Sequence, residues 1–199
     1  MMRIILIRHG ESVSDIENRY GGSYDDALTE KGKGQARKLS EKVSRKGIEI
    51  VYSSNLARAR ETAEILGKHL DRPVQTIESM RERNFYGVLT GLKKEEAAKK
   101  FPEEVKKLTL YRNTIHSGET YDEFRTRVLF SLENIAKGNH RIVAIVTHGG
   151  PISCIVRELL KLGEFKKIGD CAYFDINYDG KYRLIAYDNA EFENPPKID

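Results

Sequence analysis

Two short β-branched runs constrain this chain more than any other feature. Arg3-Ile4-Ile5-Leu6-Ile7 and Ile142-Val143-Ala144-Ile145-Val146 are apolar enough to be buried on both faces. Each runs directly into a histidine and a glycine turn: Arg8-His9-Gly10-Glu11 after the first, Thr147-His148-Gly149-Gly150 after the second. Strands with continuous apolar runs belong to largely parallel sheets covered by helices. In such sheets, ligands bind beyond the carboxyl ends of the strands. The two histidines are therefore expected on the ligand-binding edge.

The rest of the chain alternates accordingly. Thr29 offers an N-cap to a polar helix over residues 30–45 that Gly47 stops, and residues 48–52 read as a second strand. Ser53 and Ser54 are placed to cap a helix over 56–70, whose Leu56, Ala59, Ala63, Leu66 and Leu70 share one face. A third strand follows at 74–77. From about 80 to 117 the rhythm breaks: a charged helix over 93–108, interrupted at Phe101-Pro102, reads as an insertion able to cover a site. Regularity returns with a helix over 119–136 and another over 152–162 after a Gly-Gly-Pro turn. Residues 173–177 and 182–187 form a hairpin through Asp179-Gly180, and a loose tail lies at 194–196. At 199 residues this predicts a single α/β domain over 1–199, with helices on both faces of its sheet.

Composition excludes several classes of function. The apolar stretch 4–7 is too short for a secretory signal, Arg8-His9 interrupts it, and no run is long enough to cross a bilayer. A cytoplasmic protein without membrane contact is expected. The net charge of +4, from 34 basic and 30 acidic residues, suits an anionic substrate but is too diffuse for nucleic acid. Cys154 and Cys171 show no metal-binding or disulfide spacing, and Cys154 reads as a small buried hydrophobe. No metal site is expected.

The strand ends carry the chemistry. If the strands ending at Ile7, Tyr52 and Val146 are neighbours, His9, His148, Arg8, Arg58 and Arg60 converge. Guanidinium forks match phosphate oxygens and stay charged at working pH. An imidazole can attack phosphorus and form a covalent intermediate. Arginines can stabilise the spreading charge, and the leaving alkoxide needs an acid. Glu82, in Arg81-Glu82-Arg83-Asn84, is the leading candidate for that acid. Taken singly, each residue has a plainer reading: a hydrogen-bonded turn histidine, a solvated helix arginine, a glutamate paired to Arg81 or Arg83. Together at equivalent strand ends they point to one pocket. His69, His116 and His140, and the lysine pairs at 93–94 and 99–100, read as surface.

Four segments carry a family likeness. Leu6-Ile7-Arg8-His9-Gly10-Glu11-Ser12, the stretch Tyr52-Ser53-Ser54-Asn55-Leu56-Ala57-Arg58-Ala59-Arg60-Glu61-Thr62-Ala63, Arg81-Glu82-Arg83-Asn84-Phe85-Tyr86-Gly87 and Val146-Thr147-His148-Gly149-Gly150-Pro151-Ile152 appear in the order of the histidine phosphatase superfamily. The chain resembles that superfamily, which includes cofactor-dependent phosphoglycerate mutases and related phosphatases. The resemblance implies a three-layer α/β/α sandwich with a mostly parallel central sheet and a helical cap at about 80–117. It also implies His9 as the phosphorylated nucleophile, with Arg8, Arg58 and His148 lining the phosphate pocket and Glu82 donating the proton. Ser14, Asn18, Gly22, Gly149 and Arg112 are the further substrate-binding positions. Tyr86 and Tyr111 join Arg112 as candidates for contacts from the cap. No metal is implied, and a 2,3-bisphosphoglycerate primer only for a mutase.

Asn18-Arg19-Tyr20-Gly21-Gly22 and the run 82–94 are similar to the mutases. Several positions depart from them: Asp15 in place of asparagine, Gly21 in place of threonine, Ser23 in place of tryptophan, and His148-Gly149-Gly150-Pro151 where mutases have His-Gly-Asn-Ser. Phe85-Tyr86 is one residue longer than the usual pattern, and only Arg112 stands where mutases pair two arginines. Asp15 beside a phosphate pocket would repel substrate unless it is turned away or paired. These departures favour a phosphatase acting on small phosphorylated metabolites over a mutase. A phosphate- or phosphoprotein-binding module without catalysis is the third reading. Monomer and homodimer are both open, with the hairpin edge available for pairing.

Overall fold

The computed structural model describes residues 1–196. Six strands form one mixed sheet: β1 (Met2–Arg8), β2 (Ile50–Ser53), β3 (Val74–Thr76), β4 (Ile142–Thr147), β5 (Phe165–Tyr178) and β6 (Tyr182–Phe192), in the order β3-β2-β4-β1-β5-β6. The first four pair in parallel, while β5 and β6 run antiparallel beside β1. β1 is central, and its Ile4, Ile5, Leu6 and Ile7 are wholly buried, as their continuous apolar run requires.

Seven α-helices accompany the sheet: α1 (Val13–Ile16), α2 (Glu30–Val43), α3 (Ala57–Leu70), α4 (Lys94–Lys100), α5 (Pro102–Lys106), α6 (Tyr121–Ala136) and α7 (Gly149–Ile155). On one face α6 and α7 bury Phe124, Val128, Leu132 and Ile152 against Leu6, Ile145 and Phe174. On the other, α2 and α3 bury Leu39, Ala63 and Leu66 against Ile5, Ile7 and Val146. The three-layer sandwich is the solution that covers both apolar faces of the sheet. Between β3 and α6, Leu89, Ala97 and Ile115 form a small separate core for the cap segment.

Element ends differ from the sequence reading in instructive ways. The charged helix expected over 93–108 is broken into α4 and α5 at Phe101-Pro102, with Pro102 in the first turn of the second, where its missing N–H costs nothing. The last core helix begins at Gly149, with His148 as its N-cap, so Gly149 and Gly150 lie inside the first turn instead of forming a preceding loop. Thr29 caps α2 as expected, accepting a hydrogen bond from Gly32. Ser53 and Ser54 do not cap α3. Its N-cap is Leu56, and Asp25 accepts from the Ala57 amide at 2.6 Å. The hairpin is far longer than 173–177 and 182–187. The charged stretch of β5 hides its strand character, and the pairing shifts register between Ile168 and Tyr173.

The register of the sheet positions the site. Arg8 lies opposite Thr147, the His9 amide donates to the Thr147 carbonyl at 3.0 Å, and the Ser54 amide donates to the Val146 carbonyl at 2.9 Å. The ends of β1, β4 and β2 are therefore level and adjacent, with His9, His148 and Ser54 on one edge.

Helix α2 is seated against the turn after β1 with no spare room. A Cβ at Gly32 would lie 2.1 Å from the Glu11 carbonyl oxygen. Gly32→Ala gains roughly 1 kcal/mol of helix propensity but overpacks a backbone contact at about 1–3 kcal/mol or more. A net loss is expected, read as a melting temperature lowered by several degrees. A rise would contradict this packing.

Candidate active site

His9 stands where β1 gives way to Gly10, and only 5% of it is exposed. Its Nδ1 lies 2.7 Å from the Gly10 carbonyl oxygen, which can only accept, so Nδ1 carries the proton. Nε2 keeps its lone pair and receives the Arg58 Nε–H at 3.2 Å. His148 is wholly buried, its ring 5.0 Å from that of His9. The Ser54 hydroxyl, which already accepts from the Leu56 amide, lies 2.8 Å from His148 Nε2. The hydrogen between them can lie on either atom, and Nδ1 of His148 has no hydrogen-bond partner among the described residues. Burial first, then the guanidiniums of Arg58 and Arg8, hold the His9 pKa well below the ordinary histidine value. Burial, Arg58 and His9 do the same for His148. Both rings are neutral at neutral pH, and His9 keeps an unprotonated Nε2 that accepts from Arg58.

Arg58 lies near the start of α3, almost wholly buried. Beyond His9 it donates to the carbonyls of Tyr24 and Gly22, both at 2.7 Å, and to Asp26 at 2.8 Å. The other oxygen of Asp26 accepts from the Ser14 amide at 2.7 Å. One guanidinium thus fastens residues 22–26 to His9. Arg8 sits at the end of β1, hydrogen-bonded to the Ile168 carbonyl, with Asp170 at 3.5 Å and Asp15 at 3.9 Å. Asp15 is the paired group that the sequence required. One of its oxygens also accepts from the Ser12 amide and hydroxyl, each at 2.9 Å.

Glu82 takes no ion pair among the described residues. Arg81 pairs with Glu78, and Arg83 is committed to the carbonyls of Tyr111, Asn113 and Glu119. The Glu82 carboxylate accepts instead from the Arg83 amide at 2.8 Å and the Gly150 amide at 3.0 Å. A Cβ at position 150 would lie 2.0 Å from it, so glycine there makes room for this carboxylate at the start of α7.

A cavity of about 500 Å³ opens over these groups. Its walls include Arg8, His9, Arg58 and Glu82 together. This edge of the sheet therefore offers a neutral buried imidazole, fixed guanidiniums and a carboxyl group around one space, groups of the kind that phosphoryl transfer can use.

Residues 4–187 match the histidine phosphatase superfamily, branch 1. The chain belongs to this superfamily. It is 30% identical to 2,3-bisphosphoglycerate-dependent phosphoglycerate mutase 2 of Gloeobacter violaceus, over 99% of this chain and 96% of that protein. It is also 30% identical to phosphoserine phosphatase 1 of Hydrogenobacter thermophilus, over 93% of this chain and 90% of the relative. Among solved structures, Bacillus stearothermophilus YhfR superposes with a TM-score of 0.83 at 25% identity, covering 92% of this chain and 95% of that one.

Within this superfamily fold, Ser14, Asn18, Gly22 and Gly149 also line the cavity. Gly22 meets Arg58 through its carbonyl, and Ser14 meets Asp26 through its amide. Tyr86 and Tyr111 line the cavity too, whereas Arg112 does not and lies over the rings of Tyr111 and Tyr121. Arg60 does not converge with the others. It is exposed on α3, 4.0 Å from Glu64. His69, His116 and His140 are exposed. Sequence reasoning missed Asp26, Asp170, Arg157, Lys94 and Tyr121. Only the short spacing from Gly22 to Asp26 offered a signal, and the others depend on contacts between distant elements.

Linkage gives the sign of the pH effect. The unfolded chain binds protons at these two histidines near pH 6.5 and the folded chain does not. Their contribution to stability is therefore present above about 6.5 and is lost as pH falls towards the lower folded value. In the ligand-free protein, NMR signals of the His9 and His148 rings should remain neutral through pH 6.5. A His9 midpoint at or above 6.5 would contradict the geometry.

Proposed function

We propose that the chain is a metal-independent phosphatase that hydrolyses phosphate monoesters of small metabolites through a phosphohistidine at His9. The observation that carries this reading is the state of His9: buried, neutral, with Nδ1–H donated to Gly10 and an unprotonated Nε2 that accepts from Arg58 at the cavity. A residue that only bound phosphate by charge would be better served by an imidazolium.

In this reading Nε2 of His9 attacks phosphorus as the P–O bond to the alcohol breaks, and Glu82 supplies the proton to the leaving oxygen. Arg8 and the Nε–H of Arg58, which turns from His9 to the substrate, receive the equatorial oxygens. Water then attacks the phosphohistidine and gives its proton to Glu82. The P–N bond breaks, releasing phosphate and restoring the ring. Arginines carry the charge stabilisation, so no metal or other cofactor takes part.

The near full-length likeness to a named mutase keeps phosphoglycerate mutation as the second reading. One assay set separates them. Wild-type protein in EDTA should release phosphate from p-nitrophenyl phosphate, and His9→Ala should lose this by roughly 10⁴-fold or more. Turnover that survives in the variant, or that requires added metal, overturns the proposal. Conversion of 3-phosphoglycerate to 2-phosphoglycerate only with a bisphosphoglycerate primer, and without hydrolysis, would select the mutase. A protein that binds phosphate equally well with and without His9, and turns over nothing, would be the binding module.

A further inference from the structure

One wall of the cavity is unlike the phosphate end. Phe85, Tyr86, Tyr111, Tyr121 and Phe124 all line it. The band starts beside the proposed acid: burial, and secondarily the Glu82 charge, push the Tyr86 phenol up to about 12. The Phe85 ring is 5.3 Å from that of Tyr86, and the Arg83 guanidinium spans from Phe85, at 4.9 Å, to Tyr121, at 5.7 Å. Tyr111 meets Tyr121 edge-on at 5.1 Å, and Arg157 covers Tyr111 at 4.1 Å.

Two cations in this band are committed: Arg83 is held by three backbone carbonyls, and Arg157 by both oxygens of Glu164. Arg112 lies over the Tyr111 and Tyr121 rings and Lys94 lines the same cavity, neither with an ion pair among the described residues. The wall therefore offers mainly ring faces and edges. A volume of about 500 Å³ lies within the range of roughly 300–1,000 Å³ that holds ligands far larger than phosphate.

We propose that this wall is a leaving-group subsite for an alcohol bearing an aromatic or heteroaromatic ring. The inference rests on the phosphatase reading for its chemistry: the ester oxygen protonated at Glu82 places the attached ring against Tyr86 and Phe85, with Tyr111 and Tyr121 beyond. Flat rings gain offset and edge-on contacts with such residues beyond their buried area.

Calorimetry of the full chain with three non-hydrolysable probes tests this: 2-phenylethylphosphonate, 2-cyclohexylethylphosphonate and ethylphosphonate. They share one head group and differ in the presence and flatness of a ring. The phenyl probe should bind about 3- to 10-fold more tightly than the cyclohexyl probe, and more tightly still than the ethyl probe. Tyr111→Leu should reduce the phenyl preference. Tyr111 is 40% exposed, so the change leaves the core intact. Equal or reversed affinities for the two ring probes, no measurable binding of any probe, or full discrimination in the leucine variant would overturn the proposal. Binding needs no turnover, so the two readings fail separately. Silence in the EDTA assay with a phenyl preference removes the phosphatase alone. Turnover without a preference removes the subsite alone.

Discussion

The buried guanidinium of Arg58 is the interaction on which the rest of this site depends. It donates to His9, to Asp26 and to the carbonyls of Gly22 and Tyr24, joining α3, the end of β1 and a segment with little regular structure. A buried charge without partners is expensive, and breaking such a pair costs on the order of 3–5 kcal/mol. The 22–26 segment therefore closes around Arg58 because its carbonyls and Asp26 are needed there. In doing so it brings Gly22 to the cavity and Ser14 into contact with Asp26. Arg58 also keeps a positive charge beside His9, which together with burial holds the ring neutral.

Three of the cavity's arginines have carboxylates beside them. Asp26 answers Arg58, Asp15 and Asp170 flank Arg8, and Glu164 holds Arg157. Fixed donors aimed at one place, with little reorganisation when charge develops, are how enzymes stabilise phosphoryl transfer. Glu82 belongs to the same scheme by a different device. Two backbone amides orient it, so its position depends on the start of α7 and on the glycine at 150. The sheet register, by keeping the ends of β1 and β4 level, makes these local arrangements one site.

Much of this was legible in the sequence, for identifiable reasons. His9 and His148 follow the two most apolar runs, and such runs become neighbouring central strands whose ends align. Glu82 and Arg58 were legible through their segments. The plainer reading of Glu82, a salt bridge to Arg81 or Arg83, gives way because those arginines have other partners. Asp170 was hidden because the strand carrying it reads as a charged loop and pairs through a register shift. Arg157 and Tyr121 lie on helices, where their spacing marks only burial or exposure. Their approach to Tyr111 depends on how the cap segment meets the body. The starts of α3 and α7 were misread because a distant Asp25 and the tolerance of a first helical turn for Gly-Gly-Pro override local capping signals.

The central claim is that Nε2 of His9, and no other atom, accepts the phosphoryl group. The most direct measurement is to quench turnover within milliseconds under alkaline conditions, where phosphohistidine survives. The labelled site is then located by peptide mass spectrometry, and the bonded nitrogen is identified by nitrogen–phosphorus NMR. The account predicts one phosphoryl group, on His9, bonded through Nε2. Phosphate on Nδ1 of His9, on His148 or on any other residue would contradict it. So would an enzyme that turns over substrate with no covalent species formed.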